Sequence, residues 1–130
     1  MYKKFTKPLR PFKALYLNDL SGARSILDEV INFGGLKKDI VAKAKLNLGD
    51  YFLMDSERWE ASLLFSQVDK DFKEGVLGEQ ARFRNARLSY FMGDFEWAQE
   101  QFDILKSATT RLISNDAIDM SVFIMDNLNL

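Results

Sequence analysis

Residues 79–106, EQARFRNARLSYFMGDFEWAQEQFDILK, contain the clearest indication of the fold. Gly93 has no Cβ and can adopt the left-handed conformation that commonly ends a helix, and Asp94 can accept a hydrogen bond from the free amides of the next helix. Apolar residues recur at helical spacing on both sides of this turn: Phe83, Ala86 and Tyr90, then Ala98, Phe102 and Leu105. Two amphipathic helices joined by so short a link must pack antiparallel, so the stretch predicts a helical hairpin.

One spacing of three residues occurs three times along the chain: Ala, then a large apolar residue, then an aliphatic residue. The copies are Ala23, Leu27 and Val30; Ala61, Phe65 and Val68; and Ala98, Phe102 and Leu105. Successive copies are offset by 38 and 37 residues, close to the period of about 34 that is typical of stacked helical hairpins. The small Ala lets two helices approach closely, and the larger residues fill the groove beside it.

These residues resemble the tetratricopeptide repeat family, whose pattern has a small residue on the first helix, a Gly-Asp-aromatic turn, and Ala then an aromatic residue on the second. The third copy matches it at Ala86, Gly93, Asp94, Phe95, Ala98 and Phe102. The second copy matches it at Leu48, Gly49, Phe52, Ala61 and Phe65, with Ser56, Glu57 and Arg58 in place of the turn. The resemblance implies an all-α fold, a right-handed α-solenoid of antiparallel helical hairpins with about seven helices.

The chain of 130 residues predicts one helical repeat domain, residues 12–130, after a basic and flexible lead-in, residues 1–11. The repeats are expected over residues 12–35, 36–74 and 76–108, with a terminal half-repeat over 114–128. Within the first repeat we predict a short helix over 12–17, a link at Asn18 and Asp19, and a helix over about 20–33. Ser56 is expected to cap the second helix of the second repeat.

Composition argues against several classes of function. The net charge of −1 gives no general attraction to nucleic acid, so we expect no nucleic-acid partner. The chain has no Cys and no His, which removes thiolate chemistry and the commonest proton shuttle and metal ligand. We therefore expect a protein that is not an enzyme and has no cofactor and no metal site. The sequence shows no signal peptide and no apolar run long enough for a membrane span, and it leaves the compartment open.

The resemblance implies that a peptide or helix of another protein binds in the concave groove lined by the first helices of successive hairpins. Leu46 and Phe83 stand where family members that clamp a terminal carboxylate have Lys, so we expect a mixed apolar and basic groove instead. The groove residues implied are Lys43, Leu46, Asn47, Asp50, Leu53, Met54, Gln80, Phe83, Arg84, Arg87, Tyr90 and Phe91.

Three features leave alternatives open. Arg82, Arg84 and Arg87 form either an anion site or a solvated face balanced by Glu79 and nearby acids. Each of the two tryptophans, Trp59 and Trp97, either anchors a partner or closes the joint between neighbouring hairpins. The apolar stripe of the last helix suggests a structural segment of a longer solenoid, or self-association through this C-terminal helix. That stripe consists of Ile118, Val122, Met125 and Leu128.

Overall fold

The computed structural model describes the backbone of residues 12–128 and the side chains of residues 21–127. Within this part of the chain the fold is all-helical, as predicted, and contains six helices and no strand. The helices are α1 (Phe12–Asn32), α2 (Lys38–Met54), α3 (Arg58–Asp71), α4 (Val76–Phe91), α5 (Phe95–Leu105) and α6 (Arg111–Leu128).

The prediction of about seven helices is wrong, because residues 12–128 contain six. α1 continues through Asn18 and Asp19, where we expected a link. Either residue costs a helix interior at most about 0.7 kcal/mol relative to Ala, far less than Pro, so neither has to break it. The last helix begins at Arg111, somewhat before the predicted start. The predicted lead-in, residues 1–11, lies outside the described residues.

Each helix packs against the next one along the chain, and α4 also contacts both α2 and α6. The helices therefore form two hairpins, α2 with α3 and α4 with α5, placed so that their first helices are neighbours. Both hairpins have a turn of three residues between their helices. This arrangement brings α2 and α4 together along one surface.

The predicted triplets form the centres of two hydrophobic cores. Ala61, Phe65 and Val68 lie in the core between α2, α3 and α4, each no more than 1% exposed. The corresponding core of α4, α5 and α6 contains Ala98, Phe102 and Leu105, no more than 2% exposed. In the first copy the three residues, Ala23, Leu27 and Val30, are only half-buried. The repeated spacing thus predicts the core correctly in the two complete hairpins.

The two hairpin turns depart from the predicted capping. Asp94 is the N-cap residue of α5, but its side chain makes no capping hydrogen bond. Glu57, and not Ser56, is the N-cap residue of α3, and it also makes no side-chain cap. Both capping predictions are wrong because these turns are set by the end of the preceding helix. Gly93 does adopt the predicted left-handed conformation, with φ of 92°.

Candidate partner-binding surface

The surface where α2 meets α4, called here the α2–α4 seam, contains two clefts in line. Residues from the early part of α2 share the first cleft with residues from the early part of α4. Residues from the end of α2 and the turn after it share the second cleft with the end of α4. The two helices therefore run in the same direction along the seam.

An ion pair joins the two helices beside the first cleft. The guanidinium of Arg84 donates two hydrogen bonds to the carboxylate of Asp50, from Nε to Oδ1 over 3.0 Å and from Nη2 to Oδ2 over 3.1 Å. Both side chains are partly shielded from solvent, which limits screening of the pair. This forked geometry fixes orientation as well as distance. The pair holds α2 and α4 in register.

The first cleft has a volume of about 480 Å³ and combines polar and apolar lining. Lys43, Asn47, Gln80 and Arg84 supply the polar groups. Its apolar lining comes from Leu46 on α2 and from Val76 and Leu77 at the start of α4. Lys43 and Asn47 are exposed. The cleft can therefore offer an incoming chain both hydrogen-bond partners and apolar contact.

The second cleft is larger, with a volume of about 610 Å³. Two guanidinium groups line it, from Arg58 at the start of α3 and from Arg87 on α4. The remaining lining residues are Leu53, Ser56, Leu88 and Phe91. Phe91 is 67% exposed, so a large apolar surface lies beside the positive charges.

The predicted groove residues divide into those that face solvent and those that support the fold. Lys43, Asn47, Met54, Arg87 and Phe91 are exposed. Leu46 is only 2% exposed and belongs to the core, although it also lines the first cleft. Phe83 is half-buried and packs edge to face on Phe102, with ring centroids 5.4 Å apart.

Tyr90 is the centre of an aromatic cluster and is not simply a groove residue. Its ring makes edge contacts with Phe91, Phe95 and Phe123, at centroid distances of 5.5, 5.3 and 5.9 Å. These contacts connect the end of α4 to α5 and α6. Truncating Tyr90 would disturb the packing of three helices.

The three arginines of α4 have different surroundings. Arg82 pairs with Asp69 and also donates to the carbonyl of Lys73, and Arg84 pairs with Asp50. Arg87 lies over the ring of Phe83, with its guanidinium carbon 5.6 Å from the centroid. Nearby acids therefore balance two of the three arginines.

Glu79 is not one of the acids paired with these arginines. Its carboxylate accepts hydrogen bonds from the backbone N–H and the hydroxyl of Thr109. It thereby connects the start of α4 to the α5–α6 link. The balancing role that the sequence suggested for Glu79 is wrong.

Our sequence prediction missed Ser56 and Arg58 as lining residues of the second cleft. A cleft position for Arg58 depends on the turn between α2 and α3, and no periodic pattern indicates that turn's geometry. The position of Trp59 was also open, and this side chain is 76% exposed. It does not close a joint between the described helices.

Among the side chains of residues 21–127, no cluster of three or more carboxylates is placed to hold a metal ion. None of the described helices combines the length and apolar character that crossing a membrane would require. Comparison of the sequence and structure with protein-family models, curated proteins and solved structures finds no match.

Proposed function

We propose that this chain is a non-catalytic protein-protein interaction scaffold, whose α2–α4 seam binds a peptide or helix of another protein. The fold we infer is the right-handed α-solenoid of tetratricopeptide-like repeats. Contacts of α4 with both α2 and α6 support it, because first helices of stacked hairpins are neighbours in such a solenoid. The equivalent buried triplets of α3 and α5 support it as well.

The observation that carries the binding proposal is the pair of clefts in line on one seam. α2 has 17 residues, so the seam is about 25 Å long, enough for several residues of an extended peptide. The Asp50–Arg84 pair fixes the two walls before a ligand arrives. When a site is already ordered, less binding free energy is lost in ordering its side chains, and this favours recognition of a flexible segment.

Blocking the first cleft tests the proposal. A phage-displayed library of random linear peptides is selected on the full chain, and the enriched peptides are labelled for titration. Asn47 is exposed, so Asn47→Trp should fill the cleft without disturbing the core. We expect it to weaken peptide binding about tenfold or more, which corresponds to about 1.4 kcal/mol.

The matched control is Asn115→Trp, which places the same side chain at an exposed position of α6. Circular dichroism should be the same for both variants and the original chain. Asn47 is a sharper choice than Tyr90, whose three ring contacts would make loss of folding a competing explanation. Failure to enrich any peptide, or equal binding by the Asn47→Trp variant, would contradict the proposal.

The second candidate function is a structural one, in which the chain self-associates through α6. Ile118, Val122 and Met125 form a stripe on this helix and are 40–48% exposed. Exposed apolar surface of this kind favours association when a second copy can cover it. Val122→Glu should abolish any concentration-dependent increase in mass measured by light scattering, whereas Ser25→Glu, at an exposed position of α1, should not. A mass that stays monomeric at all concentrations would contradict self-association.

A further inference from the structure

The second cleft carries positive charge that no carboxylate of the described side chains neutralises. Three other arginines have acidic partners: Arg24, Arg82 and Arg84. Within residues 21–127, neither Arg58 nor Arg87 has such an ion pair, and both line the second cleft. Two cations at the wall of one cleft favour an anionic ligand.

The two acids of the turn that lines this cleft already have partners, and two further acids nearby, Glu60 and Asp94, are exposed and form no ion pair with Arg58 or Arg87. Asp55 and Glu57 flank Ser56 in the turn, and both accept from the guanidinium of Arg24 on α1. Asp50, one turn earlier on α2, is bound by Arg84. The charges of Arg58 and Arg87 are therefore left for a group from outside the described chain.

Apolar surface lies next to these charges and narrows the class of ligand. Leu53 and Leu88 form the less exposed part of the lining, and the ring of Phe91 stands largely in solvent. The guanidinium of Arg87 rests on the ring of Phe83, which restricts its movement before binding. A free carboxylate or phosphate would leave the exposed ring of Phe91 uncovered.

We propose that the second cleft binds an acidic peptide segment, in which an Asp or Glu stands next to a large apolar residue. The carboxylate pairs with Arg58 and Arg87, and the apolar side chain covers Phe91 and Leu53. This inference rests on the proposed function, because it assigns a partner chemistry to one end of the same seam. Charge-assisted hydrogen bonds to guanidinium groups give the carboxylate its selectivity over a neutral amide.

The same random peptide library provides the probe. Enriched sequences should contain Asp or Glu beside Phe, Leu, Met, Trp or Tyr more often than the unselected library. Arg58→Gln combined with Arg87→Gln should weaken binding of an enriched peptide about tenfold or more, as expected when charge-assisted hydrogen bonds are lost. The control is Lys37→Gln combined with Arg111→Gln, which changes the net charge equally at exposed positions outside the cleft lining.

Replacing the acidic residue of the enriched peptide by Asn or Gln gives an independent measurement. It should weaken binding to the original chain and leave binding to the double Arg variant nearly unchanged. Peptides with no acidic preference, or equal loss in the Lys37 and Arg111 control, would overturn this inference. If Asn47→Trp weakens binding and the double Arg variant does not, the acidic-peptide inference fails while the proposed function stands. If no peptide is enriched, both fail.

Discussion

Ser56 and Gly93 occupy the same position in the two hairpin turns. Each is the residue in left-handed conformation after a helix, with φ of 62° for Ser56 and 92° for Gly93. The amide of Ser56 donates to Leu53 O over 3.0 Å, and that of Glu57 to Phe52 O over 2.8 Å. The matching amides of Gly93 and Asp94 donate to Tyr90 O and Ser89 O. Both turns are therefore Schellman motifs, the second with the preferred Gly and the first without it.

Ser56→Gly should therefore stabilise the fold. The left-handed conformation costs a residue with a Cβ about 1–2 kcal/mol, and Gly avoids this cost because it has no Cβ. The greater freedom of Gly in the unfolded chain offsets part of the gain, about 0.4–1 kcal/mol. We expect the free energy of unfolding in urea to rise by about 0.5–1 kcal/mol.

Ser25→Gly is the control for Ser56→Gly, because Ser25 is exposed within α1. In a helix interior Gly is less favourable than Ser by about 0.5 kcal/mol, so this variant should lose stability. A loss of stability in both variants would show that Ser56 carries no left-handed strain.

Gly49 should not tolerate a methyl group. A Cβ built on Gly49 would lie 2.4 Å from Cε1 of Phe65, whose side chain is fully buried and cannot move aside. Overpacking of this kind destabilises the fold by about 1–3 kcal/mol. The better helix propensity of Ala offsets at most about 1 kcal/mol of this loss. We therefore expect Gly49→Ala to lower the midpoint of urea unfolding.

Gly22→Ala is the matched control, since Gly22 is also inside a helix and has no atom within 4 Å of the added Cβ. It should raise the free energy of unfolding by about 0.5–1 kcal/mol. Opposite signs for these two variants would confirm close packing of α2 on Phe65. A gain of stability in both would contradict it.

The fold was more predictable from the sequence than the candidate surface was. The positions of Ala, Phe and an aliphatic residue on α3 and α5 identify buried faces because burial follows the helical period. Gly93 identifies its turn because few other residues accept its backbone conformation. The turn at Ser56 was predicted incorrectly, since a Ser before a helix is more often a cap, and nothing local showed that α2 ends there in a Schellman motif.

The surface depends on contacts between the two hairpins, which helical periodicity within one segment does not define. Leu46 and Asn47 both fall on the predicted groove face, yet one lies in the core and the other in solvent. The sequence did contain a signal for the Asp50–Arg84 pair, because opposite charges 34 residues apart can meet when the first helices of two hairpins are neighbours. No signal in the sequence indicated the position of Arg58, because the turn before α3 directs this side chain towards α4.

Asp50 and Arg84 should show coupling in a double-mutant cycle. The variants Asp50→Ala, Arg84→Ala and the combination are compared by urea unfolding. Exposed ion pairs contribute about 0.2–1 kcal/mol, and the forked geometry and partial shielding of this pair place it near the upper end. Arg84→Lys should lose most of the coupling, because a single ammonium group cannot reproduce two parallel hydrogen bonds. Additive losses for the two single variants would contradict the register role of the pair.

Asp103 should make stability depend on pH in the acidic range. The hydrogen bond from Lys106, at 2.9 Å, and the bond from the buried hydroxyl of Ser121, at 2.7 Å, hold the pKa of the Asp103 carboxyl below its ordinary value. The ionised form is thus favoured in the folded state. Its stabilisation is fully present above the unfolded pKa of about 3.9 and is lost as the pH falls through the lower folded pKa.

Asp103→Asn should therefore be less stable than the original chain above about pH 4, and the difference should shrink as the pH falls towards about 2. Urea unfolding at a series of pH values measures this difference. Asp119→Asn is the control, because Asp119 is exposed on α6 and its carboxylate makes no hydrogen bond or ion pair with the side chains of residues 21–127. The stability of the Asp119→Asn variant should match that of the original chain at every pH in the series. A difference for Asp103→Asn that stays constant with pH would mean that the carboxyl contributes through shape and not through charge.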